Sequence, residues 1–146
     1  MSESSHGWAL HLERRLEASP EDVFAACVHP EKLAEWWGPA GFSSQVIELE
    51  AGEGGRYRIR MQPPEGEAFH LSGEFLEVEP PTRIVYTFDW EEPDPDDQET
   101  VVTLTFERSG EDTRVVLDQS TFRTEARYEL HRDGWTEAFE RLERAL

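Results

Sequence analysis

Alternating apolar and polar residues predict that β-strands make up most of this chain. The clearest case is residues 56–61, where Tyr57, Ile59 and Met61 alternate with three arginines. Because successive side chains of a strand point to opposite faces, this segment predicts a strand with one apolar and one charged face. The same period predicts a first strand carrying Trp8, Leu10 and Leu12 and another strand over 44–50. It also predicts four later strands. Their inward residues are, in chain order, Phe69, Leu71 and Phe75; Ile84, Tyr86, Phe88 and Trp90; Val102, Leu104 and Phe106; and Val115 and Leu117. Leu76 and Val78 fall out of phase, which predicts a β-bulge or a strand that leaves the sheet.

Three segments have helical periodicity instead. Ser19 is the expected N-cap of a first helix with Pro20 at its first position, and His29-Pro30 ends it. A second short helix is predicted over 31–36. From Thr124 onward apolar residues recur every three or four positions, which predicts one long helix to the C-terminus with a single buried stripe.

The order of these elements predicts an α+β fold. Short turns between consecutive strands favour an antiparallel meander of about seven strands, with two short helices after the first strand. The long C-terminal helix needs an apolar surface, so we expect it to cover the aromatic face of the sheet. We predict a single domain over residues 8–146, preceded by a disordered or extended N-terminus over 1–7.

The net charge of the chain limits the classes of partner that it is expected to bind. The 146 residues carry a net charge of −18, and Lys32 is the only lysine. Nucleic acids and anionic membranes bind clustered cations, so we expect neither as a partner. The acidic, lysine-poor composition suggests a protein adapted to high salt, or an acidic soluble domain from an arginine-rich proteome. Cys27 has no second cysteine with which to form a disulfide. The sequence has no apolar run of the roughly 20 residues that a membrane span needs, so a cytoplasmic location is expected.

Several local motifs resemble one known family. They are Pro20 to Val28 followed by His29-Pro30-Glu31, Trp36-Trp37-Gly38-Pro39, Gly54-Gly55-Arg56-Tyr57, Gly73-Glu74-Phe75, Glu79 to Thr87, and His131-Arg132-Asp133-Gly134-Trp135. Together they resemble the bacterial members of the Hsp90-ATPase-activator-like family, in the START-like (SRPBCC) superfamily. The resemblance implies a helix-grip fold with a deep cavity between the sheet and the terminal helix, used across the superfamily for lipids, polyketides and other apolar molecules.

The candidate ligand-binding residues are those expected to face this cavity. They are Trp36, Trp37, Phe42, Tyr57, Ile59, Met61, Phe69, Leu71, Phe75, Tyr86, Phe88, Trp90, Leu104, Phe106, His131, Trp135 and Phe139. Adjacent helical residues point about 100° apart, so only one of Trp36 and Trp37 is expected to be fully inward. Inward aromatic residues fit a filled core as well as a cavity wall. Gly134, inside the helix, leaves space that is either cavity or close packing.

His131 is the one candidate for acid–base chemistry, as a proton shuttle or an orienting donor; the alternative is a structural histidine hydrogen-bonded to a sheet residue. The five histidines are scattered, so no metal site and no cofactor is expected. The pairs Glu91-Glu92 and Asp96-Asp97 are expected to be solvated surface.

Three functions follow from these observations. The first is binding of a small apolar ligand without catalysis, by a monomer or homodimer. The second is an interaction module for a chaperone or regulatory partner, which only the family name suggests. The third is a cyclase- or hydrolase-type enzyme that uses His131.

Overall fold

The computed structural model describes residues 8–146 and folds them into seven strands and three helices. The strands are β1 (Trp8–Leu16), β2 (Ser43–Leu49), β3 (Arg56–Gln62), β4 (Phe69–Glu79), β5 (Arg83–Trp90), β6 (Thr100–Ser109) and β7 (Asp112–Phe122). The helices are α1 (Pro20–Val28), α2 (Pro30–Trp36) and α3 (Glu125–Ala145). The N-terminus predicted over 1–7 lies outside the described residues.

The strands form one antiparallel sheet in the order β1-β7-β6-β5-β4-β3-β2. Strands β2 to β7 are a meander, and β1 closes the order by pairing with β7. The prediction of an α+β helix-grip fold is confirmed. Strand β2 begins and ends one residue earlier than the predicted 44–50.

The helix ends are set by residues that the sequence identifies. The Ser19 hydroxyl accepts a hydrogen bond from the Asp22 amide at 3.2 Å, and Pro20 occupies the first helical position of α1. His29 has extended backbone, so it ends α1 and precedes α2. Thr124 caps α3 by accepting from the Arg127 amide at 3.2 Å.

The core lies between the aromatic face of the sheet and α3, as predicted. Five residues of α3 are buried on one stripe, His131, Trp135, Ala138, Phe139 and Leu142. Trp8 differs from its predicted inward position, since 40% of it is exposed. The register between β1 and β7 shifts between Trp8 and Leu10, which takes Trp8 out of the alternation and places its ring against Tyr128 of α3, with centroids 5.8 Å apart.

The pairing of β4 with β5 contains the predicted bulge, because the register shifts between Phe75 and Glu77. Close to it, Gly73 lies directly over the Thr87 carbonyl, and a Cβ there would be 2.0 Å from that oxygen. The Tyr57 hydroxyl donates to the same oxygen at 2.6 Å. The missing side chain at Gly73 therefore lets the Tyr57 ring cross the sheet to reach β5.

Candidate functional site

A pocket of about 310 Å³ lies between α3, strands β3 to β5 and the segment that follows α2. We call it the outer pocket. It is lined by Trp37, Gly38, Pro39, Phe42, Met61, Phe69, Phe88, Trp90, Glu92, Asp94, Asp97, Arg127, Leu130, His131, Gly134, Trp135 and Ala138. Most of these side chains are apolar, and six of them are Phe or Trp.

The aromatic walls support one another through edge contacts. Phe69 packs edge-on against Trp90 with ring centroids 5.3 Å apart, and Trp37 packs edge-on against Trp135 at 5.3 Å. On the helix side Gly134 lines the pocket, and a Cβ there would be 3.6 Å from Pro39, an ordinary contact. The space left open by Gly134 therefore belongs to the pocket.

Trp36 and Trp37 are both buried, which corrects the expectation that only one would be inward. The Trp37 amide still donates to the Leu33 carbonyl at 3.0 Å and its φ of −64° is helical, so the two side chains leave α2 in different directions and each reaches its own buried surroundings. The Trp36 indole donates to the Ala26 carbonyl at 2.9 Å inside the core. The Trp37 ring instead forms the end wall of the outer pocket.

Arg141 of α3 holds this end wall in place. Its guanidinium donates to the carbonyl oxygens of Trp37, Gly38 and Pro39 at 3.0, 3.0 and 3.1 Å. Burial lowers the pKa of Arg141 from its ordinary value. Gly38 adopts φ +95°, a conformation that favours glycine, so the turn after Trp37 depends on this residue.

His131 is fully hydrogen-bonded. Its Nδ1 lies 2.7 Å from the Arg127 carbonyl oxygen, which can only accept, so Nδ1 carries the proton. Its Nε2 then accepts from the Trp90 indole N–H at 3.2 Å. Burial is the main cause that lowers the pKa of His131 and favours this neutral form. The hydrogen bond to a sheet residue is therefore present, and both ring nitrogens are engaged in holding Trp90 against α3.

The loop between β5 and β6 is exposed at Glu91, Glu92 and Asp94, as expected of solvated surface, whereas Asp96 and Asp97 are half-buried against Arg127. The Arg127 guanidinium contacts three of its carboxylates, with Nε 3.0 Å from Asp96 Oδ1 and 3.4 Å from Asp97 Oδ1, and pairs also with Asp94. The Asp97 side chain is only 8% exposed. Glu92, Asp94 and Asp97 thus form a polar wall of the outer pocket.

The first residues of the same loop are tied to neighbouring strands. The Glu91 carboxylate accepts from Nε and a terminal nitrogen of Arg58, both at 2.9 Å, and this guanidinium holds the pKa of Glu91 below its usual range. Glu92 accepts from the His70 backbone amide at 2.8 Å and lies 2.8 Å from its ring Nδ1. The loop is therefore fixed to the sheet at one end and to α3 at the other.

A second, smaller hollow of about 30 Å³ lies deeper in the core. We call it the inner pocket. It is lined by Cys27, Leu33, Trp36, Trp37, Leu49, Tyr57, Ile59, Phe75, Ile84, Tyr86 and Leu104. Trp37 lines both pockets, so its ring forms part of the wall between them.

The structure divides the seventeen predicted ligand-binding residues into three groups. Trp37, Phe42, Met61, Phe69, Phe88, Trp90, His131 and Trp135 line the outer pocket. Trp36, Tyr57, Ile59, Phe75, Tyr86 and Leu104 line the inner pocket with Trp37. Leu71, Phe106 and Phe139 pack in the core and line neither pocket. Their part in ligand binding stays a prediction.

Sequence reasoning did not select the remaining lining residues of the outer pocket. Gly38 and Pro39 stand in a quoted motif and Ala138 on the buried stripe of α3, so a signal existed for these three. Arg127 and the acidic wall gave no such signal, because their ion pairs join residues about thirty positions apart.

Neither a metal cluster nor a membrane helix is evident in the part of the chain that the structure describes. Residues 8–146 hold no group of three or more His, Cys, Asp or Glu side chains arranged to hold a metal ion. No helix within these residues has the length and apolar character that a bilayer crossing requires.

Comparison with known proteins identifies related chains. The family model described as "Activator of Hsp90 ATPase homolog 1-like protein" matches residues 17–146. A crystal structure of the AHSA1 protein from Silicibacter pomeroyi is 30% identical with a TM-score of 0.80, covering 93% of this chain and 95% of its own. A crystal structure of a protein from Chromobacterium violaceum is 27% identical with a TM-score of 0.87, covering 93% and 94%. A protein from Arthrobacter aurescens shares the fold at 21% identity, with a TM-score of 0.85 and coverage of 99% and 88%. No curated protein matches the sequence.

Proposed function

This chain belongs to the family of activator of Hsp90 ATPase homolog 1-like proteins, and on that premise we propose that it binds a small hydrophobic molecule in the outer pocket. The observation that carries the proposal is a hollow of about 310 Å³ whose walls are largely apolar and include six Phe or Trp side chains. Small-molecule sites in proteins are concave and mostly apolar, with a few polar groups that orient the ligand. The outer pocket combines these features in one place.

The packing around the hollow supports a site rather than a packing defect. Protein interiors are close-packed, and voids much larger than a water molecule are few. Here Gly134 leaves room on one wall, and Arg141 holds the opposite turn through its backbone carbonyls. Both features keep the space open.

The charges at the pocket favour a neutral or cationic ligand over an anionic one. Three carboxylates, those of Glu92, Asp94 and Asp97, face it with a single guanidinium, that of Arg127. The whole chain carries −18, so its field repels anions on approach. A cation would in addition find indole faces next to the acidic wall, an arrangement that binds organic cations.

The binding test is a fluorescence titration with N-phenyl-1-naphthylamine, a neutral apolar probe. We expect a saturable rise in emission as the probe leaves water for the aromatic walls. The anionic probe 8-anilinonaphthalene-1-sulfonate, of similar size, should bind less tightly at low salt, because the acidic wall opposes its sulfonate.

Two variants locate the binding. Gly134→Leu places a branched side chain in the pocket and should weaken binding of the neutral probe by about tenfold or more, the equivalent of roughly 1.4 kcal/mol. Ala126→Leu adds the same side chain at an exposed position of α3 and should leave the affinity unchanged. A probe that fails to saturate, or that binds both variants alike, would show that the outer pocket is not the site.

A further inference from the structure

The Tyr86 hydroxyl is the one buried side-chain polar atom in residues 8–146 that lacks a hydrogen-bond partner. Tyr86 is only 5% exposed and lines the inner pocket. A buried hydroxyl without a partner is unfavourable, so such groups are rare in folded proteins and call for an explanation. Its position in a hollow suggests that the partner comes from outside the chain.

The other polar groups of the inner pocket do not meet this need. The Tyr57 hydroxyl donates to the Thr87 carbonyl at 2.6 Å, and the Tyr86 hydroxyl makes no hydrogen bond to it. The Cys27 thiol is a weak hydrogen-bonding group, and burial raises its pKa to about 12, so it is neutral. Leucine, isoleucine and phenylalanine make up much of the remaining wall. An ordered water usually makes two to four hydrogen bonds, so this site would hold one poorly.

The size and position of the inner pocket fit the end of a larger molecule. Its volume of about 30 Å³ admits a small end group of a ligand. Only the Trp37 ring is common to its wall and that of the outer pocket. This ring follows the end of α2 and precedes Gly38, where an added Cβ would lie 3.1 Å from Met61.

We propose that the inner pocket is a subsite for one polar end of the ligand, where the Tyr86 hydroxyl donates a hydrogen bond to a carbonyl or ether oxygen. The apolar body of the ligand lies in the outer pocket, and its polar end extends past the Trp37 ring that lines both pockets. This inference rests on the proposed function and adds a ligand class: a neutral molecule, mainly apolar, with a hydrogen-bond acceptor at one end.

Two matched probes test the subsite. One is 6-propionyl-2-dimethylaminonaphthalene, whose ketone stands at one end of an apolar body; the other is 2-dimethylaminonaphthalene, which lacks the ketone. Tyr86→Phe removes the donor while keeping the ring. It should weaken binding of the ketone probe about three- to tenfold, as expected for one net hydrogen bond, and leave the other probe within about twofold. The bound ketone's emission should also move to shorter wavelength, because its carbonyl loses a hydrogen bond.

Tyr128→Phe is the matched control, because Tyr128 lies on α3 and lines neither pocket, and both probes should bind this variant as they bind the wild type. If both probes bind but Tyr86→Phe changes neither the affinity nor the emission of the ketone, the subsite is wrong and the outer-pocket function stands. If neither probe binds the wild type, the proposed function and the subsite fail together.

Discussion

The two tyrosines of the inner pocket should respond in opposite directions when their hydroxyls are removed. Tyr57→Phe deletes a hydrogen bond of 2.6 Å to the Thr87 carbonyl. Tyr86→Phe deletes a hydroxyl that has no partner among residues 8–146. Both rings are buried and both changes keep the ring in place, so the comparison isolates the hydroxyl groups.

The magnitudes follow from what each hydroxyl does. Losing the Tyr57 bond also leaves the Thr87 oxygen without that donor, which should lower the free energy of unfolding by about 1–2 kcal/mol. Removing the unpaired Tyr86 hydroxyl relieves a desolvation cost, so that variant should be as stable as the wild type or more stable by up to about 1 kcal/mol. The gap between the two variants is about 2 kcal/mol.

Urea unfolding followed by circular dichroism measures this gap. Urea is preferable to guanidinium because it leaves the screening of an acidic chain unchanged. With a urea slope of about 2 kcal/mol per molar, the midpoints of the variants should differ by about 1 M. Equal destabilisation in the two variants would mean that the Tyr86 hydroxyl has a partner in the ligand-free protein, and the polar-end subsite would lose its basis.

Three further predictions concern stability. Gly73→Ala should destabilise the protein by about 3 kcal/mol or more in the urea assay, because the added Cβ would be 2.0 Å from the Thr87 oxygen. In the control Gly52→Ala no atom lies within 4 Å of the added carbon, so its free energy of unfolding should stay within about 0.5 kcal/mol of the wild-type value. Burial lowers the pKa of His131, so the unfolded chain binds a proton at this residue more readily than the folded chain does. The stability of the wild type relative to His131→Gln should therefore be constant above about pH 6.5 and fall below it, by at most about 1.4 kcal/mol per pH unit. A stability difference that stays flat or rises on acidification would contradict the neutral form of His131. The melting temperature should rise steadily from low to molar KCl if the acidic composition reflects adaptation to high salt, and the absence of any rise would remove that hypothesis.

Local sequence patterns were sufficient to predict most of the fold. Strict alternation over 56–61 placed Tyr57, Ile59 and Met61 in the core, where the structure has them buried. The cap at Ser19 and the stop at His29 depend on neighbouring residues alone, so they too were readable from the sequence. These predictions succeeded because the relevant interactions are short-range along the chain or repeat with the period of the element.

The candidate site was harder to predict from local sequence patterns. The angle between Trp36 and Trp37 did not show that both directions are buried, because Trp37 is covered by α3, which is distant in sequence. The pair Asp96-Asp97 was expected to be fully solvated, because no local pattern indicates that Arg127 of α3 pairs with these carboxylates. Alternation shows that a side chain points inward, but whether it meets another side chain or a hollow depends on contacts between distant elements.

The five tryptophan indoles offer the most direct test of where a ligand binds. In ¹⁵N-labelled protein, titration with N-phenyl-1-naphthylamine should shift the indole N–H signals of Trp37, Trp90 and Trp135, which line the outer pocket. The signals of Trp8, on β1, and Trp36, in the core, should move little. Shifts confined to Trp8, or no shifts at saturating probe, would contradict a binding site between the sheet and α3.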